Sequence, residues 1–329
     1  MHGWLIIDKP VGPGSTQIVG AVKRALREGG YAKVKVGHGG TLDPLASGVL
    51  PVALGEATKL SGRMLDADKV YEFTIAFGSE TDTLDLEGSV VDTCDTLPAL
   101  AEIEAILPRF TGAIEQVPPA YSALKIEGKR AYDLARAGEE VALKSRSVVI
   151  HGLKILAGTG RGAAPSAVEG AMGGAQAPLH QPSAGPPPRP GEDLVTLEAR
   201  VSKGTYIRSL ARDIARALGT VGHVTMLRRT KAGPFALDAA ISLDKLGEAA
   251  KGRTLERHLL PLTAGLDDIP ALPVTPDQAG ALRQGRKLIG IAAKPGLYLA
   301  TDDDVPVALV ELSEGSLRPE LRVLRGFNL

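Results

Sequence analysis

The chain of 329 residues has a single cysteine, Cys94, which excludes an intrachain disulfide and a multi-cysteine zinc site. Cys94 lies beside Asp92 and Asp95, a setting expected to disfavour a thiolate, so a structural role is expected. The 6 histidines are scattered without metal-ligand spacing, and no metal is expected. No stretch approaches the roughly 18 consecutive apolar residues of a membrane span. The opening MHGWLIIDKP lacks the basic and apolar regions of a signal peptide. A cytoplasmic protein, not bound to a membrane, is the expectation. No glycine-rich loop ends in Gly-Lys-Ser/Thr. Gly12-Pro13-Gly14 lacks the third glycine of a dinucleotide loop, and there is no nucleophile elbow for a Ser-His-Asp triad. Net charge is also missing, with 38 basic residues against 38 acidic ones.

What is present is an ordinary globular composition, 44% apolar, and length for about two domains. The charge is unevenly placed. Arg200 to Phe235 carries eight Lys or Arg against Asp213 alone, and Asp66 to Glu104 carries eleven acids against Lys69. This pattern predicts one basic face and one acidic face. Gly204, Thr205 and Tyr206 interleave the basic run and favour a phosphate-contacting surface.

Apolar periodicity predicts strands over Gly3–Ile7, Val34–Val36, Val49–Leu54 and Lys69–Phe77, and a pair over Ser147–Leu156 and Asp193–Val201. It predicts helices over Pro98–Leu107, Arg130–Ala137 and Thr205–Leu218, and one capped by Ser15 or Thr16 and stopped by Gly29 and Gly30. Gly158 to Gly191 holds eight Gly, seven Pro and seven Ala, and reads as a low-complexity insertion within one domain. A boundary is expected near Leu260–Pro273. It is followed by a short helix over Gln278–Arg286 and a strand-rich module. No internal repeat is found.

The segment Gly37–Leu50, GHGGTLDPLASGVL, places one carboxylate, Asp43, on a glycine-rich loop, with Pro44 biasing it away from the α region. Two readings fit: an Asp-Pro turn between strands, or an active-site loop whose glycines leave clearance for a large ligand. Three further pieces join it: a strand with Tyr71, the run PPAYSALKIEGKRAYDLAR from Pro118, and SKGTYIRSLARDIA from Ser202.

These motifs, together with HVTMLRRTKAGPF, resemble the bacterial tRNA pseudouridine-55 synthase family in kind and order, from Leu5 through Phe235 apart from the insertion. The resemblance implies a mixed α+β catalytic domain around a largely antiparallel sheet with flanking helices, over residues 1–262. It implies a small β-rich PUA-like RNA-binding domain over 270–329. It implies cofactor-free isomerisation of a uridine in the T loop of tRNA by a monomer with no obligate protein partner. By position, Asp43 matches the family's nucleophile. Tyr71 matches the tyrosine that stacks on the base and assists proton removal at C5, and Arg208 the arginine paired with the aspartate. Leu227 matches the apolar wall of the uracil pocket. His38 and Tyr206 match residues that contact the substrate nucleotide and its surroundings, and Lys203 falls in the same substrate-binding segment. Two departures stand out: the family often has Thr or a larger residue where Gly39 stands, and KPVGPGSTQ has an extra residue before Ser15.

The residue types suit this chemistry. Breaking the C1′–N bond, turning the uracil and joining C5 to C1′ neither oxidises nor imports anything, so no cofactor is needed. A carboxylate serves as nucleophile and charge stabiliser, and Arg208 supplies a counter-charge. Whether Asp43 attacks sugar or base first stays open. Two other classes are weighed: an RNA-binding or tRNA-folding module without catalysis, which does not need Asp43 and Tyr71 and is compatible with catalysis as a second role, and a uracil methyltransferase, which wants a reactive Cys and a cofactor loop.

Overall fold

The computed structural model describes residues 1–122, 124–126, 129–131, 143–157, 194–314 and 319–329. Nearly all of the helix expected over Arg130–Ala137 and the whole insertion 158–191 lie outside the described residues.

Nine strands form the main sheet: β1 (Gly3–Lys9), β2 (Val36–His38), β3 (Ala46–Leu54), β4 (Lys69–Phe77), β5 (Gly112–Gln116), β6 (Arg146–Ile155), β7 (Leu194–Val201), β8 (Gly222–Ala232) and β9 (Phe235–Ala236). Their order is β1-β3-β8-β4-β7-β6-β5, with β2 added to β3 and β9 to β8. All pairings are antiparallel except β8 with β3. The fold is mixed α+β around a largely antiparallel sheet, and β6 and β7 are hydrogen-bonded partners although residues 156–193 separate them in the chain.

The apolar run of β1 is continuous because both faces are covered. Leu5 and Ile7 pack with Ile18, Val22 and Leu26 of the helix Ser15–Glu28, while Trp4 and Ile6 pack with Phe235, Leu262 and Leu266. On β4 the alternating residues Phe73, Ile75 and Phe77 meet Ile207, Leu210 and Ile214 of the helix Ile207–Ala217. Tyr71 and Leu227 touch both of these cores, so they mark the seam between them. Strand β8 runs through that seam and slips register between Val224 and Met226 and again between Arg229 and Lys231. Bulges of this kind re-aim side chains beside functional sites.

A second sheet of five strands holds Ala271–Pro273, Leu288–Ile289, Gly296–Asp302, Val305–Ser313 and Glu320–Gly326, with the helix Pro276–Arg283 against it. Leu299 and Phe327 join the core of Trp4 and Ile6, so the two sheets share buried apolar contacts. Among the described residues no helix is long and apolar enough to cross a membrane.

Two expectations are corrected. Gly14, not Ser15 or Thr16, caps the first helix, and the Ser15 hydroxyl bonds instead to the Leu42 backbone. The basic and acidic runs do not form opposite faces. They meet, through Arg200–Asp68, Lys203–Asp66, Arg208–Asp85 and Arg216–Glu80. At these four contacts, charges far apart in the sequence pair in space.

Candidate active site

Asp43 lies on the turn that enters β3, and polar contacts pin this turn from two sides. Ser15 Oγ accepts from the Leu42 N–H at 2.8 Å and donates to the Leu42 carbonyl at 3.1 Å. The Pro44 carbonyl accepts from Lys9 Nζ at 3.1 Å and from the Gly12 N–H at 2.9 Å. Lys9 is wholly buried, and burial takes its pKa from 10.5 to about 8; the Asp43 charge pulls it back up and Arg229 pushes it down. From the other side Arg229, 1% exposed, donates to the carbonyls of Val49, Thr41 and Gly40 at 2.8, 3.2 and 3.4 Å. A guanidinium fork suits such a set of converging acceptors.

Two glycines are required here for close packing. Gly48 has φ +102°, and a Cβ there would lie 2.1 Å from the Arg229 carbonyl oxygen, so β8 can approach β3 only across a glycine. A Cβ at Gly39 would lie 2.7 Å from Met64 Cβ. This corrects the clearance reading of the loop's glycines at Gly39, which makes room for Met64 rather than for a ligand.

Loss of the Arg229 fork strands buried carbonyls, each worth about 1–3 kcal/mol when unmet. Arg229→Met is therefore expected to lower the unfolding free energy by about 3 kcal/mol or more, measured by urea denaturation. A change below about 1 kcal/mol would contradict this role.

Beside the turn opens a cleft of about 300 Å³, lined by Asp43, Tyr71, Tyr206, Arg208 and Leu227 among others, at the low end of the range for small-ligand sites. Arg208 is central. Its Nη2 lies 2.9 Å from Asp43 Oδ2 and its Nη1 lies 3.4 Å from Asp85 Oδ2. The same guanidinium donates to the carbonyls of Thr83 at 2.7 Å and Tyr121 at 3.0 Å. Arg208 is 6% exposed and Asp85 equally buried, whereas the Asp43 side chain keeps 39% of its surface open to the cleft. The result is an accessible carboxylate fixed by a buried cation that a second buried carboxylate balances.

Tyr206 closes the cleft from the start of the helix Ile207–Ala217. Its backbone is clamped by Gln116, which is fully buried, accepts from the Tyr206 N–H at 2.8 Å and donates to the Tyr206 carbonyl at 3.2 Å. Tyr71 presents its hydroxyl 3.5 Å from Arg229 Nη1. Two residues stand apart from the cleft. His38 is half-buried on β2, with Nδ1 facing the Gly40 N–H at 3.4 Å; burial first and the Arg229 charge second push its pKa below 6.5, leaving the ring neutral at pH 7. Lys203 is exposed and pairs with Asp66 at 3.0 Å. Cys94 also lies away from the cleft, and hydrogen bonds from Thr96 push its thiol pKa down, against the effect expected of its aspartate neighbours.

Sequence reasoning missed Arg229, Gln116, Asp85 and Lys69. The only signal for Arg229 was its place inside HVTMLRRTKAGPF, and nothing singled out Asp85. Lys69 is buried on the cleft wall, donating to the carbonyls of Leu65 and Ala67 at 2.6 and 2.5 Å. Burial first, then Arg229, bring its pKa from 10.5 to about 8, against the pull of Asp66 and Asp68. Between those two values the unfolded chain holds a proton that the folded chain has released, so this group's contribution to stability rises with pH. It is full above 10.5 and lost as pH falls through about 8. Denaturation at pH 7 and pH 10 is expected to show wild type gaining on Lys69→Met at the higher pH. A constant or falling difference would contradict the shift.

The described residues hold no group of three or more His, Cys, Asp or Glu placed to bind a metal. Residues 26–169 match the family described as TruB family pseudouridylate synthase (N terminal domain), and residues 208–267 match the tRNA pseudouridylate synthase B C-terminal domain. The chain is 61% identical to the tRNA pseudouridine synthase B of Novosphingobium aromaticivorans, over 100% of this chain and 98% of that one. It is 56% identical to the tRNA pseudouridine synthase B of Zymomonas mobilis subsp. mobilis, over 100% and 96%. Its fold is similar to that in the crystal structure of a Cbf5-Nop10-Gar1 complex, with TM-score 0.67, 23% identity, and 99% of this chain and 85% of that chain covered. With an accessible aspartate paired to a buried arginine in a tyrosine-lined cleft, and relatives of this identity over its whole length, the chain belongs to the TruB family of pseudouridylate synthases.

Proposed function

We propose that this chain isomerises uridine 55 in the T loop of tRNA to pseudouridine, without a cofactor. The observation that carries the reading is the 2.9 Å contact of Arg208 with the open carboxylate of Asp43, in one cleft with Tyr71 and Leu227. The relatives' name, tRNA pseudouridine synthase B, supports the substrate.

In this reading the target uridine is flipped from its stack, at a cost of a few kcal/mol offset by stacking and edge hydrogen bonds. Its base enters between Tyr71 and Leu227. Asp43 is the nucleophile, and Arg208 holds its charge and direction. The C1′–N1 bond breaks, the uracil turns, and C5 bonds to C1′. N1 gains a proton and C5 loses one, with Tyr71 assisting that loss. Tyr206 contacts the nucleotide. His38, neutral at the end of β2, meets the RNA outside the cleft, and Lys203 exchanges Asp66 for a backbone phosphate. Residues 1–262 form the catalytic domain, with 158–191 as an insertion, and 270–329 a small PUA-like RNA-binding domain. The protein acts in the cytoplasm as a monomer and needs no protein partner.

The test follows from the proton balance. A T-arm stem-loop carrying tritium at uridine C5 should lose that tritium to water in step with pseudouridine formation. Intact tritium after prolonged incubation with wild-type protein would overturn the reading.

A further inference from the structure

Four cations line the cleft among the described residues: Lys69, Arg146, Arg208 and Arg229. Three of them, Lys69, Arg208 and Arg229, each make at least two hydrogen bonds or ion pairs within the protein, although the Nε of Arg208 is also buried without a hydrogen-bond partner. Arg208 serves Asp43, Asp85 and two carbonyls, Arg229 serves three carbonyls, and Lys69 serves two. Arg146 differs. Its Nε and Nη2 are buried and make no hydrogen bond. Leaving such donors unmet is costly, the more so for a charged group, and a native orphan of this kind calls for an explanation.

The position of Arg146 is fixed with care. It opens β6 opposite Gln116 in register. Its guanidinium carbon lies 4.7 Å from the centre of the Tyr206 ring, the ring whose backbone Gln116 clamps. A Cβ at Gly204, where φ is +80°, would lie 3.7 Å from the same carbon, so the turn before Tyr206 packs against the guanidinium. Nε and Nη2 share one edge of the guanidinium and point the same way. That edge is the side-on fork that matches two oxygens of a phosphate.

Resting on the proposed function, we propose that Arg146 binds a phosphate adjoining the target nucleotide and so holds the flipped uridine in register with Asp43. Both fork atoms are closed to solvent in the free protein, so the side chain turns toward the cleft to engage. The cost of its unmet donors is relieved when the phosphate arrives, which favours the bound state over the free one. A uracil carbonyl is the competing acceptor, but a nucleotide delivers the paired anionic oxygens only at its phosphates.

The test uses a T-arm stem-loop in three forms: natural, and with a neutral methylphosphonate linkage on the 5′ or the 3′ side of the target uridine. Wild type, Arg146→Met and Arg146→Lys are compared. On natural RNA, Arg146→Met is expected to lose about 10- to 100-fold in kcat/KM, and the slope of log binding constant against log salt is expected to fall by about one. One of the two neutral linkages should lower wild type by a similar factor and leave Arg146→Met unaffected. Arg146→Lys should recover the salt slope but only part of the rate, because it restores a charge and no fork. Thermal stability of the free Arg146→Met protein should equal or exceed that of wild type, since it removes unmet donors. A merely structural arginine would lose stability instead, and that outcome overturns the proposal. Losses that multiply for both linkages would overturn it too, pointing to the base carbonyl. If Arg146→Met does not fold, Arg146→Lys carries the same comparison. Wild type that makes no pseudouridine on natural RNA sinks the proposed function. Wild type that makes it at full rate on both neutral linkages sinks only the role of Arg146.

Discussion

Asp43→Asn is expected to lower the single-turnover rate of pseudouridine formation by at least about 10³-fold, as loss of a nucleophile does elsewhere. Affinity for a T-arm stem-loop should change by less than about threefold. The amide keeps the size of the carboxylate and removes its charge and nucleophilicity. The turn should survive the change, because Ser15, Lys9, Gly12 and Arg229 hold it through backbone groups rather than through the Asp43 side chain. Arg208 also keeps Asp85 and two carbonyls when the Asp43 charge is gone. Single-turnover kinetics with enzyme in excess separate the chemical step from binding. A variant that keeps more than about a tenth of the wild-type rate would mean that another group attacks.

Arg208→Met is the second large effect, and it acts on both stability and rate. The substitution leaves Asp85 as a buried carboxylate with the Thr83 hydroxyl at 2.6 Å and the Glu87 N–H at 3.0 Å as its partners. Breaking a buried pair from one side costs about 3–5 kcal/mol, so urea denaturation should show a loss of that size. The rate should fall together with the stability, since Asp43 loses its counter-charge and its direction. The double change Arg208→Met with Asp85→Asn separates the two effects. It removes the stranded charge, so stability should return in large part. The rate should not return, because Asp43 is still unpaired. Recovery of both would make Arg208 a scaffold residue only.

Local pattern carried much of the fold. Strand β4 was legible to both its ends because Val70 to Phe77 alternates and Gly78 stops it. The β6–β7 pair was legible across the 158–191 segment because both flanks alternate. The helix carrying Arg208 was legible because Ile207, Leu210 and Ile214 share a face. What was not legible depends on contacts far apart in sequence. Nothing near Arg229 says that its fork reaches Val49, 180 residues away. Nothing near Gln116 says that it clamps Tyr206, 90 residues on. The charge runs misled for the same reason: Arg216 and Glu80 look like members of opposite faces until folding brings them to 2.8 Å. The role of Gly39 was misread because its neighbour, Met64, comes from a helix 25 positions later in the chain. In the site itself, Asp43 and Arg208 were legible as a pair through the ordered motifs, whereas the second carboxylate that balances Arg208 was not.

The central claim is that one carboxylate, Asp43, turns one uridine of the T loop into its C5-linked isomer. Its most direct test is mass-spectrometric mapping of pseudouridine in a T-arm stem-loop RNA treated with wild-type protein and with Asp43→Asn. The account predicts pseudouridine at position 55 with wild type and unmodified uridine there with the variant, although the variant still binds the RNA. Full conversion by Asp43→Asn, or wild-type modification at some other position with uridine 55 left intact, would contradict it.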